Sequence, residues 1–183
     1  MDDARLVKIS KSLSKHLRHD PAGLGLTLTS GGWVSVDDLL AAYARRRVSL
    51  SRTELEEVVA NNSKQRFSFD PTGTLIRANQ GHSVAVDLQL EPAMPPTLLY
   101  HGTGHLTAPI IAREGLHKMR RHHIHLSTDP ETARAVGARH GRPVIFRVDA
   151  AAMASDGHLF YCSDNGVWLT DAVPSEYLRE LAP

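Results

Sequence analysis

The chain has 183 residues, 42% of them hydrophobic, which is enough to bury one large core or two small ones and excludes a mostly disordered protein. A net charge of +1 leaves no bulk positive field to draw in nucleic acid, so any polyanion contact has to come from local clusters. The single cysteine, Cys162, excludes an intramolecular disulfide and a multi-thiolate zinc site, no apolar run approaches the roughly 20 residues of a membrane span, and the acidic start MDDARLVKIS is unlike a secretory signal, so a soluble, cytoplasmic protein is expected.

Leu6, Ile9, Leu13 and Leu17 recur at spacings of three, four and four, which predicts an amphipathic helix over residues 3–18 with Asp2 and Asp3 available as caps. Its last turn delivers Arg18 and His19. After DPAGLG, the segment LTLTSGGWVSV alternates about a glycine turn and predicts a short hairpin. Ser35 with Asp38, and Ser51 with Glu54, have the spacing of capping boxes and open helices to about Arg46 and about Asn61. KQRFSF and TLIRAN flank the turn residues Asp70-Pro71-Thr72-Gly73 and predict two strands, the first carrying Arg66. Helices followed by a terminal hairpin predict a winged-helix lobe over residues 1–90.

VAVDLQLEPAMPPT holds Pro92, Pro95 and Pro96 and no helical period, which marks a junction to a second lobe over residues 91–183. There Leu98 to Tyr100 reads as a strand leading into His101-Gly102-Thr103, and residues 104–114 as a helix stopped by Gly115. His123 to Ser127 is a strand, Asp129-Pro130 opens a helix ending near Gly141, and PVIFRVDA, HLFYCSD and GVWLTDA supply three more strands. The expected fold class is α+β.

Charge is segregated along the chain. Residues 113–142 hold seven basic side chains (Arg113, Lys118, Arg120, Arg121, Arg134, Arg139, Arg142) against three acids, a net of +4, whereas from Asp149 onward six acids face only Arg179, a net of −5. Within the basic stretch, RRHHIHLST poses a choice between metal and anion. Zinc needs three or four converging ligands, and strand alternation sends His123 and His125 to one face and His122 to the other, so only two converge. Two arginines would repel a dication and no HExxH pattern is present, so no metal is expected. An anion suits the stretch better, because the planar guanidinium fork matches phosphate oxygens. LRH at 17–19 and KQRF at 64–67 have the same character, although Arg18 or Arg66 alone would more often be a solvated surface charge. In YHGT, Gly102 allows a ligand close to the backbone, or His101 simply caps a turn. In NQGHS at 79–83, Gly81 permits a tight turn that Ser83 can cap.

Taken together and in this order, LSKHLRH, GGWV, NNSKQRF, NQGHS, YHGT, RHHIHLS and NGVWLT resemble the RNA 2′-phosphotransferase family, whose tRNA-acting members remove a splice-junction 2′-phosphate using NAD. The resemblance spans nearly the whole chain. It implies a winged-helix lobe joined to an ADP-ribosyltransferase-like mixed β lobe, with NAD as co-substrate in the second lobe, the RNA phosphate held between lobes, and no metal. Carried over by motif, the phosphate site is Arg18 and His19 from LRH, Arg66 from KQRF and Arg121 from RHHIHLS. His101, Gly102 and Thr103 match the NAD-contacting turn of such folds, and His125, with Leu126 and Ser127 after it, matches the strand beside the nicotinamide. Lys64, Gln80, His82, Ser83 and His123 are further candidate substrate contacts. Many ADP-ribosyltransferases place a glutamate near the third catalytic strand; NGVWLT has no acid, as in this family.

The implied reaction has two steps. The RNA 2′-phosphate, already ionised, attacks C1″ of NAD and expels nicotinamide without a general base, giving a 2′-phospho-ADP-ribosyl RNA intermediate. The ribose O2″ then attacks phosphorus and expels the RNA 2′-oxygen, leaving 2′-OH RNA and ADP-ribose 1″,2″-cyclic phosphate. The arginines stabilise phosphoryl charge. His19, whose proton is favoured by a nearby phosphate, is the candidate acid for the leaving oxygen, with His123 as the alternative. Two rivals remain, the first of which would use the same arginines. One is an ADP-ribosyltransferase that stops after one step, capping terminal phosphates of nucleic acid or modifying protein. The other is a non-catalytic winged-helix module that senses NAD, against which RTELEEVVAN carries three glutamates and one arginine and would repel a duplex. RNA bearing a 2′-phosphate and NAD are the partners inferred, with no membrane and no obligate protein partner.

Overall fold

The computed structural model describes residues 2–62, 64–119 and 121–182, so Ser63 of NNSKQRF and Arg120 of RRHHIHLST lie outside the described residues. The fold is mixed α+β, built from helices and small antiparallel sheets. The chain divides into two compact units, Met1–Gln89 and Leu90–Pro183, each with its own hydrophobic core.

In the first unit, helix α1 (Asp3–Arg18) starts where the Asp2 carboxylate accepts from the Arg5 amide at 2.7 Å. Its apolar stripe puts Ile9, Leu13 and Leu17 into the core, and His19 caps its end. Helices α2 (Val36–Arg45) and α3 (Arg52–Ala60) follow. Ser51 and Glu54 make a full reciprocal capping box at α3, with Glu54 also bonded to Arg5 at 2.7 Å. Ser35 makes only the forward bond, from the Asp38 amide at 3.3 Å, since the side chain of Asp38 is one methylene shorter than glutamate.

The hairpin expected over LTLTSGGWVSV does not form. Only Trp33–Ser35 is a strand, β1, and it pairs with the distant β3 (Leu75–Ala78), which in turn pairs with β2 (Phe67–Phe69) in the order β1-β3-β2. Gly31 and Gly32 both adopt positive φ, +80° and +76°, and the Thr29 amide and hydroxyl both donate to the Trp33 carbonyl, at 2.8 and 3.1 Å. The chain therefore folds back within one short 3-10 turn, and Leu26 is buried in the core instead of joining a ladder. The β2–β3 turn is held by Asp70, whose carboxylate accepts from the Thr72 and Leu75 amides, with Gly73 at φ +74°.

In the second unit, β4 (Leu98–Gly104) runs through the whole HGTG stretch, longer than the three residues expected, and α4 (Ala108–Glu114) starts correspondingly later. Then come β5 (Leu116–His117), β6 (Ile124–Leu126), α5 (Pro130–Gly137), β7 (Pro143–Asp149), α6 (Ala150–Ser155), β8 (Phe160–Cys162), β9 (Trp168–Thr170), β10 (Ala172–Val173) and β11 (Leu178–Glu180). The sheets run β11-β7-β4, β6-β9-β8 and β10-β5, all antiparallel. The helix expected to reach Gly141 is α5 followed by a 3-10 turn over Ala138–His140. Leu99, Phe146 and Val148 meet Ile124, Leu126, Met153 and Phe160 in the core.

Gly102 is where β4 and α5 touch. A Cβ there would lie 1.7 Å from the Ala133 carbonyl oxygen and 3.0 Å from the Gly137 nitrogen. The glycine therefore admits a helix against this side of the strand. Gly102→Ala should lower the unfolding free energy by about 3 kcal/mol or more, because the obstacle is backbone that cannot swing aside. Urea unfolding of the variant checks this, and a midpoint equal to wild type would contradict it.

Candidate functional site

The basic segments of the first unit are joined to one another by hydrogen bonds. The Ser83 and Val84 amides both donate to the Arg18 carbonyl, at 2.9 and 3.4 Å, so the NQGHS loop closes on the end of α1. His19 Nδ1 and Ser83 Oγ are 2.9 Å apart, which fixes that ring and leaves Nε2 as its other polar atom. Gly81 has φ +87°, and a Cβ on it would be 3.6 Å from Arg18 Nη1, so the guanidinium lies across the bare face of this turn. Asn79 links the same loop to KQRF, its amide donating to the Arg66 carbonyl at 2.9 Å and its side-chain nitrogen to the Gln65 carbonyl at 2.7 Å. Arg66 precedes β2 and does not lie on it, and its Nη1 donates to Asn62 Oδ1 at 3.1 Å.

Among the weaker candidates here, Lys64 is exposed and Gln80 half-buried. His82 is 1% exposed, next to the Gly32 backbone, so protein surrounds its ring in this structure and any influence on a ligand would pass through position.

In the second unit, YHGT and RHHIHLS come together through a β-bridge in which the Tyr100 and Ser127 amides and carbonyls exchange bonds at 2.9 and 2.8 Å. His101, Gly102 and Thr103 thereby sit alongside His125, Leu126 and Ser127. Ile124 and Leu126 face the core, which leaves His125 on the opposite, partly exposed face of β6. His101 Nδ1 lies 3.2 Å from the His125 carbonyl; a carbonyl only accepts, so Nδ1 carries the proton and Nε2 keeps a lone pair able to accept from a hydroxyl. Burial holds His101 below the usual histidine pKa, opposed by that carbonyl bond and reinforced by Arg121. Arg121 Nη1 is 2.7 Å from His125 Nδ1, and since arginine can only donate, that nitrogen is the acceptor. Thr103 is buried and its hydroxyl meets that of Thr107 at 2.7 Å.

His123 falls just outside β6, half-buried against the Tyr161 ring at 5.5 Å. Burial lowers its pKa, opposed by Asp171 and assisted by Lys118 and His122. Among the described residues no group of three or more His, Cys, Asp or Glu is arranged to hold a metal ion. A cleft of about 470 Å³ in this unit is lined by residues including His105, Pro109, Arg134, Arg142, Ile145 and Glu180 and by none of the candidates above. Asn62 and Asn79 were not assigned from sequence, although they lie in NNSKQRF and NQGHS; an asparagine in a loop reads as a turn former until its burial is known.

The family model described as RNA 2′-phosphotransferase, Tpt1/KptA family, matches residues 4–172. A protein named probable RNA 2′-phosphotransferase from Nostoc punctiforme is 62% identical over 99% of this chain and 100% of its own length. Proteins of the same name from Trichormus variabilis and Streptomyces coelicolor are 65% identical over 98% of both chains and 57% identical over 100% of both.

The two depressed histidines set a pH dependence of stability. Their folded pKa values lie below the unfolded value of about 6.5, so the unfolded chain gains protons first as pH falls, and stability present above about 6.5 is lost below it. Denaturant midpoints should drop between about pH 7.5 and about pH 5.5, and His101→Gln should shrink that drop. The same drop in variant and wild type would assign the sensitivity to other groups.

Proposed function

The chain belongs to the RNA 2′-phosphotransferase, Tpt1/KptA family, and from that premise we propose that it transfers an internal RNA 2′-phosphate to NAD, with Arg18, His19, Arg66 and Arg121 as the phosphate-handling residues. The first unit is read as a winged-helix lobe, supported by three helices and a β2–β3 hairpin that closes on β1. The second is read as an ADP-ribosyltransferase-like lobe, working in the cytoplasm. The observation that carries the reading is the hydrogen-bonded joining of LRH, KQRF and NQGHS, in which one loop ties the backbone of Arg18 and of Arg66, and the ring of His19, from segments far apart in sequence.

NAD as co-substrate supplies an electrophilic C1″ and the O2″ that later attacks phosphorus. Residues His101 to Thr103 and His125 to Ser127 suit its ribose, because the His101 ring keeps Nε2 as an acceptor for a sugar hydroxyl. With the phosphate already anionic, no base is needed. Arg18, Arg66 and Arg121 orient it and offset charge that grows on its oxygens in the second step. His19 gives the proton to the departing 2′-oxygen; the depressed basicity of His123 leaves that ring mostly unprotonated at neutral pH and tells against it as the donor.

Incubation with NAD, EDTA and a short RNA bearing one internal 2′-phosphate should yield 2′-OH RNA, nicotinamide and ADP-ribose 1″,2″-cyclic phosphate by mass. An ADP-ribosylated RNA as the final product would favour the one-step transferase instead. Arg18→Ala or Arg121→Ala should slow the second step on the order of 10³-fold and more than the first, so the RNA–phosphate–ADP-ribose adduct should build up. Wild-type turnover in these variants would defeat the assignment.

A further inference from the structure

Asn62 is only 6% exposed, and a buried amide is costly unless both of its ends are bonded. Both are. Its Nδ2 donates to Ser10 Oγ at 3.2 Å, while its Oδ1 accepts from the Lys64 amide at 3.2 Å and from Arg66 Nη1 at 3.1 Å. The chain between is drawn tight around it, since Gln65 adopts φ +41° and its amide donates to the Asn62 carbonyl at 2.7 Å. Ser10 is itself buried on α1, about two helical turns before Arg18. One side chain therefore fastens the Arg66 guanidinium to the helix that carries Arg18.

We propose that Asn62 is a positioning residue for the phosphate site, a neutral acceptor that sets the direction of Arg66 relative to α1 without cancelling its charge. The proposal rests on the reading of Arg66 as a phosphate ligand. Of the five N–H donors of a guanidinium, Asn62 engages one on Nη1. The chemistry of the amide matters as well as its shape. An aspartate at this position could keep the acceptor oxygen and take a bond from the Ser10 hydroxyl, but it would form a full ion pair with Arg66 and so compete with the phosphate.

The test is steady-state kinetics of Asn62→Asp, Ser10→Ala and Arg66→Ala beside the wild-type protein, with thermal melting as the check on folding. Asn62→Asp should raise KM for 2′-phosphorylated RNA on the order of tenfold, leave KM for NAD within about twofold, and add little when combined with Arg66→Ala. Ser10→Ala should shift KM for RNA in the same direction by less. A folded Asn62→Asp protein with wild-type KM for RNA, or with equal losses toward RNA and NAD, overturns the inference. If Asn62→Asp does not fold, Ser10→Ala decides, and an unchanged KM for RNA in that variant overturns it. Should Arg66→Ala itself leave KM for RNA unchanged, the phosphate reading fails as well; if Arg66→Ala weakens RNA and Asn62→Asp does not, only the positioning role of Asn62 fails.

Discussion

The carbonyl of Arg18 is the fixed point of the first unit. The last carbonyls of a helix have no partner within it, and here the chain returning after β3 supplies two amides, from Ser83 and Val84, to that one oxygen. This seam ends α1 at a defined residue and brings Gly81 and Ser83 beside Arg18 and His19. The same loop, through Asn79, then fixes the backbone on both sides of Arg66. A guanidinium has many rotamers to lose on binding, so a site made of arginines gains from backbone that is held before the ligand arrives.

The second unit solves a related problem with sterics. Strand β4 must lie under α5 closely enough that no side chain fits at Gly102, and Gly137 on the helix is matched to it, with a Cβ there only 2.8 Å from the Thr103 carbonyl oxygen. With one face of the strand filled in this way, the Tyr100–Ser127 bridge sets its register against the end of β6. His101 and His125 become neighbours through backbone geometry alone, and their rings acquire defined donors and acceptors as a result.

Much of this was legible in the sequence, and the rest was hidden for identifiable reasons. The spacing of Leu6, Ile9, Leu13 and Leu17 marks α1 almost to the residue, and the Ser51–Glu54 pair marks the start of α3, because helix periodicity and capping are local. LTLTSGGWVSV misleads because alternation cannot reveal which strand is the partner, and β1 takes β3 from across the unit. β5, β10 and β11 have two or three residues each, too few to show any period. The packing of α5 on Gly102 is hidden because a glycine in a motif does not say what approaches it. Asn62 is unremarkable within NNSKQRF, since its importance lies in a contact with Ser10 that only the folded chain creates.

Arg121 resting on His125 carries a consequence of its own. The nitrogen that accepts the guanidinium cannot hold a proton at the same time, so the two occupancies of Nδ1 exclude each other. With Nδ1 accepting, a proton on the neutral His125 ring sits on Nε2, so the guanidinium selects the tautomer that the ring presents.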